Sequence, residues 1–156
     1  MGRALFYHLT RSSVEEVAQQ LLERAVAAGW RVELRGVDPG RMDWLDQRLW
    51  QGRPESFLPH GRAGGETDAL QPVLLTHVGQ AAVNAPKAVM TVEGAAVTVP
   101  EIAAMERVWI LFDGHDGEAL SQARGQWKAL TEAGAAAEYW SEDSGKWEKK
   151  AEKTAG

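Results

Sequence analysis

Residues 4–34 read ALFYHLTRSSVEEVAQQLLERAVAAGWRVEL, and they make the strongest statement about architecture. Ala4–Leu9 is an apolar and aromatic run suited to a buried strand. Ser12 and Ser13 are each followed three residues later by a glutamate, Glu15 and Glu16, which gives two overlapping capping-box options. Val14, Val17, Ala18, Leu21, Leu22 and Ala25 then recur at helical spacing. Gly29 closes that helix, and Val32–Leu34 reads as a second strand. Strand, helix, strand within about 30 residues is the pattern of a right-handed parallel unit.

Further along, the alternation continues. Asp38–Gly40 reads as a turn, and Arg41–Trp50 as a short helix with Met42, Leu45, Leu49 and Trp50 on one side. Gln51–Gln71 reads as a long loop. Pro72–Val78 and Ala88–Val92 are expected strands. Thr98 and Glu101 form a capping box with Pro100 near the helix start, and this short helix is expected to end near Glu106. Arg107–Phe112, RVWILF, is the clearest strand of the chain. Glu118–Ala133 is a helix ended by Gly134, and Ala137–Trp140 is a last strand. The class is therefore α/β: a single three-layer domain with a mostly parallel, helix-covered central sheet. Residues 1–147 form the expected domain, and residues 148–156 a charged, flexible C-terminal tail.

Composition limits what such a domain does. The chain has 156 residues, with 22 acidic and 17 basic side chains and a net charge of −5. An acidic domain is poorly suited to non-specific duplex binding, which depends on many cationic phosphate contacts. There is no cysteine, which excludes thiolate catalysis, cysteine zinc sites and iron–sulfur clusters. Neither a signal peptide nor a membrane-spanning apolar run is read, and a cytoplasmic location is expected. Seven tryptophans mark either a tryptophan-rich core or contact surfaces. Exposed tryptophans that stack on single-stranded bases are a further possibility.

Three constellations could carry chemistry. The first is Asp113-Gly114-His115-Asp116, at the end of the clearest strand, where open α/β sheets place ligands. Asp113, His115 and Asp116 suit metal binding or proton transfer in a small enzyme; the same types also suit a turn and a helix N-cap, which is the preferred reading. The second is on the last helix. Arg124 and Lys128 are i, i+4 neighbours on one face, Trp127 borders them and Leu130 follows. A cationic fork beside an apolar wall suits a peptide that ends in a hydrophobic residue and a free carboxylate. Against it stands a solvated face in which Lys128 pairs with Glu132 and Trp127 is core. The third is Trp50 with Phe57, Leu58 and Pro59 on a proline-bracketed loop, either a partner anchor or a satellite core. His8, His60 and His77 lack ligand spacing and read as structural. The strand-to-helix junction at residues 8–13 has no glycine, no P-loop is present, and Gly61–Gly65 lies away from any such junction. No cofactor is expected.

Three stretches resemble one family. LDQRLWQGRPESFLPHGRAGG at 45–65, ALFYHL at 4–9 and ARGQWKALTEAG at 123–134 are similar in order and spacing to the chi subunit of bacterial DNA polymerase III. The first is long and specific; the other two are supportive. The resemblance implies a Rossmann-like fold without nucleotide chemistry, in a non-catalytic accessory subunit of the clamp-loader assembly that meets DNA only indirectly. It implies two partners: the psi subunit, on Trp50, Phe57, Leu58 and Pro59, and the acidic C-terminal tail of single-stranded-DNA-binding protein, which ends in Pro-Phe. Arg124, Trp127, Lys128 and Leu130 fall where that tail would bind. Gly125 and Leu130 depart from the expected pattern there, and the Lys/Glu segment extends past the usual family end.

Overall fold

A computed structural model describes residues 2–51 and 58–156. The opening unit forms as its pattern dictates: β1 is Ala4–Leu9, α1 is Val14–Ala27 and β2 is Val32–Arg35. Of the two capping boxes, Ser13 with Glu16 is the one formed. Next come α2 (Pro39–Trp50), β3 (His60–Arg62), a single 3₁₀ turn, β4 (Val73–Thr76) and β5 (Ala88–Thr91). The chain then runs through α3 (Val99–Ala104), β6 (Arg107–Asp113), α4 (Gly117–Glu132), β7 (Ala137–Ser141) and β8 (Glu148–Lys153).

The eight strands form one sheet in the order β3-β4-β2-β5-β6-β1-β7-β8. Every pairing is parallel except β7 with β8. Alternation along the strands makes two cores. Leu5 and Leu9 of β1 and Trp109 and Leu111 of β6 face α1 and α2, whereas Ala4, Phe6, Val108, Ile110 and Phe112 face α3 and α4. Such double coverage explains why the central strands read as continuous apolar runs. On the α3 side Arg35 of β2 bridges Glu33 at 2.9 Å and Glu101 of α3 at 2.6 Å. The Arg35 bond holds the Glu101 carboxyl below its ordinary range.

Several boundaries differ from the sequence reading. Asp38 is not a turn residue but the N-cap of α2, with Pro39 at the first helical position; proline is preorganised there and lacks the N–H that would go unpaired. The stretch read as one long loop contains β3, whose sequence HGR shows no strand signal. That strand exists because β4 offers a free edge to pair with. Segment 148–156, expected as a flexible tail, begins with β8, which pairs antiparallel to β7 through a register shift at Tyr139/Trp140. Its side chains are almost all exposed, so no apolar period announces it; main-chain pairing forms it. Trp147, just before it, packs on Tyr7 with ring centroids 5.0 Å apart.

Candidate functional site

The second constellation is carried by α4. Asp116 caps the helix, accepting from the N–H groups of Glu118 at 3.0 Å and Ala119 at 3.3 Å. Gly134, at φ +98°, turns the chain out of it. Ala119, Leu120, Ala123, Trp127 and Leu130 face the core, which leaves Arg124 and Lys128 on the outer face, both exposed. Neither forms an ion pair among the described residues, and the alternative Lys128–Glu132 pair is not made.

Trp127 is half-buried. Its indole stands edge-on to Phe6 at 5.3 Å and to Tyr139 at 5.9 Å. Tyr139 of β7 is the residue that the sequence reading missed. Its ring lies nearly parallel to that of Phe6, its register partner, at 6.3 Å, and its hydroxyl meets His8 Nδ1 at 3.0 Å. Burial pushes the Tyr139 phenol up, with the Arg124 charge pulling the other way. The available signal was the alternation of β7, which puts Tyr139 on the same face as Ala137, over the α4 core. Leu130, by contrast, is 8% exposed and belongs to that core. It supports the helix from beneath, because a position three residues after Trp127 points the same way, inward.

At the other constellation, Trp50 is 51% exposed and its ring lies 4.1 Å from that of His60. His60 is buried, with Nδ1 2.7 Å from the Leu58 carbonyl and Nε2 3.1 Å from the Asp46 carbonyl. Leu58 is only 3% exposed and packs in the α1–α2 core. Leu58 thus belongs to the main core rather than to a separate cluster under the loop. Pro59 is half-buried. Phe57 lies outside the described residues. Trp50 and Pro59 are thus the described members of this patch that reach the surface.

Asp113, His115 and Asp116 line a cleft of about 790 Å³. The cleft opens between β1 and β6, whose following helices α1 and α4 depart to opposite faces; this is the switch point where α/β sheets receive ligands. Here, however, the polar atoms serve the backbone. Asp113 Oδ1 accepts from the His115 N–H at 2.9 Å, His115 Nε2 lies 2.6 Å from the Thr10 carbonyl, and Asp116 caps α4. Gly114 is required in this turn, since a Cβ would come within 2.2 Å of the His8 ring. Among the described residues no group of three His, Cys, Asp or Glu is placed to hold a metal ion. None of Arg124, Trp127 and Lys128 lines the cleft; the half-buried Trp127 shares α4 with the two cations and meets the Tyr139 ring. Among the described residues no helix is long and apolar enough to cross a membrane.

Comparison with known proteins gives a consistent result. The profile of the family described as "DNA polymerase III chi subunit, HolC" matches residues 1–138. A protein of Pseudomonas aeruginosa named DNA polymerase III subunit chi is 43% identical over 60 residues, which is 38% of this chain and 41% of that protein. A protein of the same name from Haemophilus influenzae is 31% identical over 80 residues, 49% of this chain and 56% of that protein. The chain spans about half the length of the curated relatives it matches.

Proposed function

The chain belongs to the DNA polymerase III chi subunit family, and from that membership we propose that it is a non-catalytic accessory subunit that captures the acidic C-terminal tail of single-stranded-DNA-binding protein. The observation that carries this reading is the pair Arg124 and Lys128, exposed and without an ion pair among the described residues, on the helix that carries the half-buried Trp127, whose ring meets that of Tyr139. A guanidinium grips a carboxylate with two parallel N–H bonds, and an ammonium adds a point charge for the tail acids. The adjoining rings supply an apolar and aromatic surface for a terminal phenylalanine. Net charge −5 does not oppose capture, because screening confines each charge to about 8–10 Å at physiological salt. The tail is ordered on binding, so affinity is modest and falls with ionic strength.

The second contact of this reading is the psi subunit on Trp50 and Pro59, together with Phe57. Trp50 is held half-exposed on the buried His60 ring, which suits an anchor presented by a rigid base. The protein then links the clamp loader, through psi, to coated single-stranded DNA in the cytoplasm, and meets DNA only through the coating protein.

The test is a titration with a labelled acidic peptide ending in Pro-Phe, as free acid and as amide. Saturable binding of the acid, weaker binding of the amide and no shift of bare oligonucleotide are expected. Equal binding of acid and amide would end the tail-capture reading. Separately, Trp50→Ala should abolish co-elution with psi and leave the peptide bound.

A further inference from the structure

The loop between β1 and α1 carries an internal ligand. Glu142, directly after β7, is 5% exposed. Its Oε2 accepts three backbone N–H groups in succession: Thr10 at 3.1 Å, Arg11 at 3.0 Å and Ser12 at 2.8 Å. Its Oε1 accepts from the Ser12 hydroxyl at 2.9 Å. These donors are not the free end of a helix. The first turn of α1 is closed separately by Ser13 and Glu16, and the three N–H groups precede it. Arg11 secures the turn that presents the glutamate, donating to the Asp143 carbonyl from Nη2 at 3.1 Å. Burial pushes the Glu142 carboxyl up, but the N–H groups of Ser12 and Arg11 and the Ser12 hydroxyl outweigh it and hold the group below its ordinary range.

Successive N–H groups converging on one point form an anion-binding concavity. The loop after the first strand of a parallel α/β sheet is the place where such a concavity takes phosphate. We infer that the β1–α1 loop is an oxyanion seat whose resident ligand is the Glu142 carboxylate, supplied by the chain itself from beyond β7. The seat suits a carboxylate or a phosphate, and an outside anion finds it taken. This accounts for a nucleotide-type topology without a nucleotide site, and it gives the chain a tie between the β7–β8 turn and β1. Asp143 is exposed beside the seat and adds negative charge, so a small monoanion is a better probe than a phosphate dianion.

The test uses the full chain with Glu142→Ala, which empties the seat, and Glu142→Gln, which keeps its shape but not its charge. Thermal melts are recorded in sodium formate, in inorganic phosphate and in sodium chloride at matched ionic strength. The melting temperature of Glu142→Ala should rise saturably with formate, and less with phosphate, beyond the chloride control. Wild type and Glu142→Gln should respond to formate no more than to chloride. In ¹⁵N spectra of Glu142→Ala, formate should move the amide signals of Thr10, Arg11 and Ser12. If Glu142→Ala does not fold in chloride, recovery of its folded spectrum in formate supports the seat. Failure of formate to stabilise or refold it, or an equal response from wild type, overturns the inference.

Discussion

Replacing Arg124 by alanine removes a guanidinium that has no ion-pair partner among the described residues and projects from the outer face of α4. It makes no ion pair among the described residues, so stability should change by no more than about 0.5 kcal/mol. For a domain of this size that is a melting shift of about 2 °C or less. Binding should respond differently. A hydrogen bond to a charged group contributes about 1.5–3 kcal/mol. The exposed position of Arg124 lowers this, since opposite charges 4 Å apart are worth about 1 kcal/mol in water and about 4 near a protein surface. The expected loss is about 1–2 kcal/mol, or a factor of about 5–30 in Kd. Arg124→Lys keeps the charge but loses the two-pronged grip, and should fall in between. The assay is fluorescence anisotropy with the acidic Pro-Phe peptide, measured from low to physiological salt. The difference between wild type and Arg124→Ala should narrow as salt rises. A folded Arg124→Ala that binds the peptide as wild type does would refute the reasoning, because no other exposed cation on α4 except Lys128 stands beside Trp127.

Three further outcomes are expected. Leu130→Ala should cost about 2–4 kcal/mol in chemical denaturation, as a core truncation, while the folded fraction keeps its peptide affinity; a selective affinity loss would return Leu130 to the binding surface. Gly125→Ala should stabilise α4 by about 0.5–1 kcal/mol, since a Cβ at Gly125 meets nothing within 4 Å; an unchanged or lower denaturation midpoint would count against that packing. Because the folded Glu142 carboxyl lies below its ordinary range, its contribution is present above the unfolded carboxyl value of about 4.3 and is lost as pH falls through the lower folded value. The stability gap between wild type and Glu142→Gln, followed in urea, should therefore hold from neutral pH to about pH 5 and close below it. A gap that widens in acid would reverse the sign of the argument.

The elements legible in the residue order are those that local chemistry governs. The Ser13–Glu16 and Thr98–Glu101 boxes, the 3.6-residue period of α1 and the apolar runs of β1 and β6 announce themselves because a buried face or a capped end leaves its mark on neighbouring residues. So did the outward pair Arg124 and Lys128, whose spacing on a helix fixes a shared face. Features that depend on a distant partner emerge only when the chain is folded. HGR is a strand only because β4 lies beside it, and EKKAEK only because β7 does. Leu58 and Leu130 looked like contact residues and are packed in the core, since apolar character does not say which side a residue faces. Tyr139 stacks on Phe6, and Glu142 fills the loop after β1, each across more than 100 residues of chain. No periodicity records such meetings. They follow from the crossover that lays β7 beside β1, a property of the assembled sheet.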